Sequence, residues 1–427
     1  MKRILLILLL VLIVVPLLWL MPQFANEDVS STATSSVDPV QQIEHGSYLA
    51  KAGNCIACHT MRGGEPYAGG RGIVTPFGTL YASNITPDEE TGIGSWSADD
   101  FWRAMHHGKS KDGSFLYPAF PYPNYTKVTR ADSDALHAYF RSIEPVKQEN
   151  LEHELRFPYN QRALLAVWRA LYFTPGEYQP DTSQTVDWNR GAYLVQGLGH
   201  CNACHTTRNA LGGIDERSDL AGAVIPVLDW YAPPLTGSDE SGVESASAEQ
   251  LASLLKTGVS DHSAVYGPMA EVVRHSLQYM SDADINAMVG YLQSLPQQAA
   301  ARTSSSAAVR SSAADAMLRQ GAIIYKEQCA SCHKDDGRGV PRVYPALAGN
   351  PSVTLDLAIN PIRMVLHGGY PPSTEGNPRP YGMPPFSAML SDEEAAAVVS
   401  YIRNAWGNQA SVISPLELSR YRTVPLD

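Results

Sequence analysis

The chain has 427 residues, of which 32 are basic and 43 are acidic, so its formal net charge is −11. This length exceeds one small core and predicts two to four units of about 100–200 residues each. The acidic balance, without a long run of either sign, argues against a nucleic-acid-binding surface, so we expect no nucleic-acid partner.

The N-terminus has the layout of an export signal, two basic residues followed by an apolar run. Lys2 and Arg3 precede an uncharged stretch from Ile4 to Met21. This stretch is long for a signal peptide and nearly matches the about 17–25 residues of a membrane-spanning helix. Residues 1–25 are therefore predicted to be a signal peptide or a retained membrane anchor, and either places the rest of the chain outside the cytoplasm.

All six cysteines belong to three copies of one pentapeptide, Cys-x-x-Cys-His, at Cys55–His59, Cys201–His205 and Cys329–His333. A thioredoxin-type redox pair needs one such motif and no fixed histidine. A zinc site needs four ligands, and these pairs are spaced too far apart for the usual zinc patterns. Covalent haem attachment uses both thiols for thioether bonds and the histidine as an iron ligand.

The pentapeptides therefore predict three haem c groups. The predicted thioether cysteines are Cys55, Cys58, Cys201, Cys204, Cys329 and Cys332. The predicted iron ligands on one side of each ring are His59, His205 and His333.

The surroundings of the motifs also repeat, which predicts three tandem domains. A short helical stretch with a glycine precedes each motif, at Gly46, Gly191 and Gly321. Each copy ends in an amphipathic helix with a polar cap and a tyrosine; the predicted caps are Asp132, Ser281 and Ser391, and the tyrosines are Tyr139, Tyr291 and Tyr401. We expect an all-α fold with little strand, because the cofactor supplies much of each apolar core.

The predicted haem domains are residues 45–149, 187–296 and 314–407, with a connecting segment 150–186, a linker 297–313 and a tail 408–427. The connecting segment carries an amphipathic helix whose apolar residues are Leu164, Leu165, Trp168, Leu171 and Phe173. We expect this helix to pack between domains, with contact to a partner or to the membrane surface as the alternative. The linker is rich in Ala and Ser, which predicts a loosely tethered last domain.

An electron-carrying haem iron needs a second axial ligand, and a methionine sulfur raises its reduction potential. Met269 follows a Gly-Pro turn and Met383 lies between Gly and Pro, so both are predicted to present sulfur from an extended loop. Met389, the rival of Met383, leads into the last helix and is assigned to the core.

The first copy departs from this pattern, because Phe120 occupies the position of the sulfur. Aligning the copies on Gly108, Gly258 and Gly368 sets Met105 against Leu255 and Val365, which indicates a core position. The same alignment sets His107 against His367 in a copy that already has Met383. Met105, His106 and His107 remain candidate ligands, and an open or otherwise ligated iron is the alternative.

Five long stretches resemble the three-haem cytochrome c subunit of membrane-bound periplasmic dehydrogenases that oxidise alcohols, gluconate, sorbitol or aldehydes. They are AGGRGIVTPFGTLYASNITPDEETGIGSWSADDF, LYPAFPYPNYTKVT, FPYNQRALLAVWRALY, WNRGAYLVQGLGHCNACHTTRNALGG and MPPFSAMLSDEEAAAVVSYIRNAWGN. The resemblance covers nearly the whole chain after the N-terminal segment. It implies three tandem cytochrome c-like domains on the periplasmic side of the bacterial inner membrane.

The resemblance also implies partners. A large catalytic subunit carrying a quinone, flavin or molybdenum cofactor, with or without a small third subunit, would pass electrons to the haems, and ubiquinone in the membrane would accept them. The sequence has no catalytic triad, Gly-rich phosphate loop or paired-carboxylate motif, so we expect a non-catalytic electron-transfer subunit. The alternatives are a relay to a terminal oxidase or soluble cytochrome, and a haem peroxidase-like enzyme that uses an open iron at the first site.

Overall fold

The computed structural model describes most of the chain; the described residues are Met21, Gln23, Phe24, 38–236, Val243, 246–296 and 312–423. Most of the predicted signal or anchor segment 1–25 and of the linker 297–313 therefore lies outside the described residues. Within the described ranges, no helix is both long and apolar enough to cross a membrane.

Helices dominate the described structure, as the predicted all-α fold requires. The helices of the first half are α1 Pro39–Ala52, α2 Cys55–Cys58, α3 Ala98–His107, α4 Tyr122–Tyr125, α5 Arg130–Ser142, α6 Leu165–Tyr172, α7 Val186–Gln196 and α8 Asn202–His205. Those of the second half are α9 Ala248–Thr257, α10 Pro268–His275, α11 Asp282–Ser294, α12 Ser312–Gln328, α13 Ala330–His333, α14 Pro351–Thr354, α15 Ile359–His367, α16 Asp392–Ile402 and α17 Pro415–Ser419. Single 3-10 turns lie at Arg162–Leu164, Glu216–Ser218 and Leu277–Tyr279.

The strands of the described part are short. They are β1 Gly72–Thr75, β2 Gly78–Tyr81, β3 Glu154–Leu155, β4 Ala223–Ile225 and β5 Trp230–Ala232. The first three form an antiparallel sheet in the order β1-β2-β3, and β4 pairs with β5 as a separate antiparallel pair. Each set lies downstream of a pentapeptide, in the loops between its helices.

Helix α3 shows how the local sequence sets an element's ends. The Ser97 side chain accepts a hydrogen bond from the Asp100 backbone N–H at 3.1 Å, and the Asp100 carboxylate accepts one from the Ser97 N–H at 3.0 Å. This capping box satisfies backbone donors that the first turn leaves without helical partners. The helix ends at Gly108, whose φ of 59° lies in the left-handed region that favours glycine.

A cap was predicted for the last helix of each copy, that is for α5, α11 and α16, and two of the three predictions are confirmed. Ser281 caps α11 and Ser391 caps α16, as predicted. In α5 the predicted cap Asp132 is wrong, because Thr129 accepts the hydrogen bond from the Asp132 N–H at 3.2 Å. The Asp132 carboxylate lies in the first turn and binds His45 at 2.8 Å instead.

The chain forms two compact units. The first comprises Met1–Pro180, Gln196–His200 and Arg208–Ile214, and the second comprises Asp181–Val195, Cys201–Thr207 and Asp215–Asp427. The first predicted haem segment lies in the first unit, and most of the second and all of the third lie in the second unit.

One close helix crossing occurs three times along the chain. A Cβ on the glycine of the earlier helix would lie about 2 Å from a carbonyl oxygen of the later helix, which is far inside van der Waals contact. The pairs are Gly46 with Ala135 at 1.9 Å, Gly191 with Ala287 at 2.0 Å and Gly321 with Ala397 at 2.1 Å. The nearest side-chain atoms are the Cβ atoms of Tyr139, Tyr291 and Tyr401, at 2.9, 2.9 and 2.7 Å. Only glycine lets the two backbones approach this closely.

The connecting segment around α6 buries Leu165 and Phe173, two of the apolar residues named for its amphipathic helix, but leaves two of the leucines exposed. Leu164 and Leu171 are 49% and 53% exposed, whereas Arg169 is only 3% exposed. The Arg169 guanidinium lies 4.8 Å from the ring centroid of Phe173 and 5.1 Å from that of Phe115. The prediction was wrong for the two leucines because aromatic rings can hold a desolvated guanidinium, so the buried stripe includes a charged residue.

The second and third predicted haem segments contact each other within the second unit, which contradicts the predicted loose tether. The Asn360 side chain accepts a hydrogen bond from the Tyr231 N–H at 3.0 Å and donates one to the Tyr231 carbonyl at 2.8 Å. The guanidinium of the fully buried Arg363 lies 4.7 Å from the ring centroid of Trp230. The composition of a linker therefore did not determine how its flanking segments pack.

Candidate haem attachment sites

Each pentapeptide folds as a single helical turn. The His59 N–H donates to the Cys55 carbonyl at 3.0 Å, and His205 and His333 donate in the same way to Cys201 and Cys329, each at 3.0 Å. In such a turn, residues three and four apart lie on the same face. The two thiols and the imidazole of each motif are therefore presented together, as attachment of one ring requires.

A backbone carbonyl orients each of the three histidines. The Nδ1 atoms of His59, His205 and His333 lie 2.7, 2.6 and 3.0 Å from the carbonyl oxygens of Ser83, Pro233 and Pro345. A carbonyl only accepts, so Nδ1 carries the proton and Nε2 keeps its lone pair. Burial lowers the pKa of each imidazole, which favours the neutral form that binds a metal.

No disulfide joins the six cysteines, and the first cysteine of each motif is partly buried. Burial raises the pKa of Cys55 and Cys201 to about 12 and that of Cys329 to about 11. Reactive redox cysteines have a lowered pKa, so these thiols do not fit that class. Among the described residues, no group of three or more His, Cys, Asp or Glu side chains is arranged to hold a metal ion by itself.

Aromatic side chains surround the first motif. Tyr125 is 6% exposed, and its hydroxyl lies 3.4 Å from the Gly53 carbonyl. Burial holds the pKa of the Tyr125 hydroxyl well above its ordinary value. Tyr67, Phe101 and Phe140 are buried with Tyr125 in the cluster on which Cys55 and Ile56 pack. The apolar wall required around a porphyrin is thus present at this motif.

The third motif and Met383 lie in one apolar cluster. Met383, Cys329 and Ala330 all pack against the buried core of the third segment. The backbone of Met383 exchanges two hydrogen bonds with Gly369, at 2.8 and 3.0 Å, and so is extended as predicted. Met389 is 61% exposed, so its assignment to the core was wrong, although Met383 remains the better-placed sulfur.

Met269 lies in the first turn of α10, after Gly267, so the predicted extended loop is wrong at this position. Pro268 starts this helix because its fixed φ and missing N–H suit a first turn. A Cβ on Gly267 would lie 2.7 Å from the Trp230 indole, which holds the start of α10 against β5. The carbonyl that binds His205 belongs to Pro233, which follows β5 closely.

The first motif has no methionine in the corresponding loop. Phe120 packs against the same cluster as Cys55 and Ile56, and Met105 is 6% exposed inside that cluster. His106 stacks on Trp102 with ring centroids 4.3 Å apart. The His107 ring contacts the edge of His106, with centroids 4.6 Å apart.

The three carbonyl groups that orient the histidines could not be read from the sequence. They lie 24, 28 and 12 residues after their histidines. Because the spacing varies and any residue type has a carbonyl, no motif marks them.

Comparison with known proteins supports the same assignment. A family model described as cytochrome c matches residues 318–406. The chain is 41% identical over 388 residues to the gluconate 2-dehydrogenase cytochrome c subunit of Pantoea cypripedii, covering 86% of each chain. It is 39% identical over 383 residues to the alcohol dehydrogenase (quinone) cytochrome c subunit of Gluconacetobacter polyoxogenes, covering 86% of this chain and 81% of the relative. The fructose dehydrogenase cytochrome subunit of Gluconobacter japonicus is 38% identical over 397 residues, covering 87% of this chain and 81% of the relative.

Proposed function

The chain belongs to the family of cytochrome c subunits of dehydrogenase complexes, and from this premise we propose that it carries three covalent haem c groups and relays electrons from a catalytic dehydrogenase subunit to ubiquinone. Membership of this family makes it an electron-transfer protein. The number of haems, the acceptor and the location are parts of the proposal.

The threefold repetition of one donor set supports the haem count. Each pentapeptide presents an imidazole and two cysteines that form no disulfide, and the Nδ1 of each imidazole donates to a backbone carbonyl, which leaves the lone pair on Nε2. A hydrogen bond from the ring nitrogen that does not bind the metal fixes the orientation of a metal-binding histidine and raises its basicity. The residues therefore fit haem c at Cys55–His59, Cys201–His205 and Cys329–His333, with Met269 and Met383 as the sulfur ligands of the second and third irons.

The protein's own part in the relay is to hold three irons at fixed positions and tune their potentials. When bound, haem c supplies one-electron chemistry between ferric and ferrous iron. Methionine sulfur opposite histidine raises the potential of such an iron. Burial in apolar clusters such as those around Cys55 and Cys329 limits access of water, which also tunes the potential.

The catalytic partner and the acceptor are proposed from the relatives. Those relatives are named as cytochrome subunits of gluconate, alcohol and fructose dehydrogenases. We place the complex on the periplasmic side of the bacterial inner membrane, where the predicted N-terminal segment would deliver the chain and ubiquinone is accessible. The partner is a large quinone-, flavin- or molybdenum-dependent subunit, with or without a small third subunit.

Two experiments test this function. Intact-mass measurement of the mature chain, with a haem stain on a denaturing gel, should show three covalent haems; bare thiols would contradict the proposal. Co-purification from solubilised membranes should recover a large dehydrogenase subunit. Its substrate should then reduce a ubiquinone analogue through the haems, and a complex that reduces only soluble cytochromes or an oxidase would overturn the quinone part alone.

A further inference from the structure

The methionine of the first copy lies in the middle helix, whereas the methionines of the second and third copies lie in the region that follows this helix. The copies align on a glycine with positive φ that ends the middle helix; these are Gly108, Gly258 and Gly368. The residues three positions earlier are Met105, Leu255 and Val365. The corresponding loop residues are Phe120, Met269 and Met383. Each copy thus has one methionine across the two positions, in the helix of the first copy and in the loop of the others.

Backbone hydrogen bonds support the alignment of the first two copies. The Leu116 N–H donates to the Gly108 carbonyl at 2.8 Å, and the Val265 N–H donates to the Gly258 carbonyl at 2.9 Å. Four residues after these donors come Phe120 and Met269. The shared register therefore sets the phenylalanine at the position of the second copy's sulfur.

In the third copy, the residues that follow Met383 support its alignment with Phe120. A proline follows both Phe120 and Met383. The caps of the last helices of the two copies, Thr129 of α5 and Ser391 of α16, lie nine and eight residues after Phe120 and Met383. The loop and the helix position are neighbours there, because the Phe386 N–H donates to the Val365 carbonyl at 3.0 Å. Val365 belongs to the cluster on which Met383 and Cys329 pack.

The first copy reproduces this arrangement with the side chains exchanged. Met105 is buried in the cluster on which Phe120, Cys55 and Ile56 pack. The Phe120 ring lies 5.2 Å from that of Tyr125, which is buried in the same cluster. A phenyl ring cannot ligate iron, whereas methionine is unbranched and has three rotatable bonds, so its sulfur extends beyond a valine or leucine at the same backbone position.

Other donors in the described part of the first unit are directed elsewhere. Met21 and Met61 are 63% and 43% exposed, and Met61 lies only two residues after His59. The remaining histidines have their own contacts: His45 with Asp132, His106 with Trp102, His107 with His106, His137 with the Trp96 carbonyl, His153 with the Tyr81 N–H, and His200 with the Gly53 carbonyl and the Tyr125 ring, at 5.8 Å between centroids. Met105 is the buried sulfur that lies in the same cluster as the first pentapeptide.

We infer that Met105 is the sixth ligand of the first haem iron and that Phe120 fills the space left by the loop methionine. This inference rests on the proposed attachment of haem at Cys55 and Cys58. It makes the first site a closed, six-coordinate electron carrier and removes the structural basis of the peroxidase alternative. Carbon monoxide and peroxide are therefore expected not to bind at this iron.

The test replaces Met105 by leucine, the residue of the second copy, in the full-length haem-loaded protein. The reduced wild type should bind no carbon monoxide and should show three shifted axial-methionine methyl signals by proton NMR. M105L should lose one of these signals, gain a high-spin haem and bind one carbon monoxide per chain. The matched control M288L changes a methionine that is 3% exposed in α11 and should leave the spectrum unchanged.

A second variant tests the exchange itself. Adding Phe120→Met to M105L should return sulfur to the loop and abolish carbon monoxide binding. Carbon monoxide binding by the wild type, an unchanged M105L spectrum, or persistent binding in the double variant would each overturn the inference. The haem count separates the two proposals, because fewer than three covalent haems in the wild type refutes the proposed function, whereas three haems with an unchanged M105L spectrum refutes only the role of Met105.

Discussion

An alanine at position 191 would place its Cβ 2.0 Å from the carbonyl oxygen of Ala287 and 2.9 Å from the Cβ of Tyr291. Both neighbours belong to α11, and the nearest is backbone, so no side-chain rotation can relieve the contact. The helices α7 and α11 must separate or α11 must shift. We therefore expect Gly191→Ala to destabilise the second unit.

The magnitude follows from two opposing effects. Forcing an additional methyl group into a packed interface costs about 1–3 kcal/mol. We take the upper end because backbone must move, and alanine recovers about 1 kcal/mol of helix propensity. The expected net loss is about 2 kcal/mol, which corresponds to a midpoint about 4–8 °C lower for a unit of this size.

Thermal and guanidinium unfolding of the haem-loaded protein, followed by far-ultraviolet circular dichroism, would measure this loss. The control is Gly290→Ala in α11, the helix that Gly191 of α7 packs against, at a position where a Cβ would meet no atom within 4 Å. That variant should gain about 0.5–1 kcal/mol from helix propensity alone. If Gly191→Ala is as stable as Gly290→Ala, the close crossing of the two helices is refuted.

Three further predictions concern the second motif, pH and the contact between segments. Replacing Cys201 and Cys204 by serine should reduce the covalent haem count by one in intact-mass measurement; an unchanged count would contradict attachment there. Burial lowers the pKa of His137, so folding favours its neutral imidazole. The free energy of unfolding of the first unit should therefore be highest above about pH 6.5 and decrease as the pH falls through the folded pKa, because the unfolded state then binds a proton that the folded state does not. The charged groups around this histidine are Arg130, Asp134 and Arg141. His137→Gln should flatten the dependence of the unfolding midpoint on pH, and an equal slope in both proteins would refute the assignment. Asn360→Ala leaves two backbone groups of Tyr231 without this partner and should cost about 1–3 kcal/mol in guanidinium unfolding; an unchanged free energy would show that the contact contributes nothing.

Features that depend on neighbours in the chain were predictable from the sequence. The Cys-x-x-Cys-His spacing places both thiols and the imidazole on one face of a turn, whatever surrounds it. Ser281 and Ser391 cap their helices because their side chains reach backbone N–H groups two or three residues away. The glycines before each motif could be aligned by their repeated spacing, although the carbonyl that each one meets could not be identified.

Features that depend on distant partners were predicted less well. Periodicity selected Leu164 and Leu171 as buried. The structure instead buries Arg169, because the rings of Phe173 and of the distant Phe115 lie against its guanidinium. A loose tether was expected from linker composition, but Asn360 binds a strand 129 residues away.

The sequence by itself determined the cofactor chemistry, since thiol and imidazole spacing is a local property of a single turn. Only the tertiary structure decided which nitrogen of each histidine donates to the backbone and which keeps its lone pair, since that depends on a carbonyl at a variable distance along the chain. It also brought Met105 and Phe120 into the cluster of the first motif. The physical reason is that covalent spacing sets what a turn can present, whereas packing between segments sets what it meets.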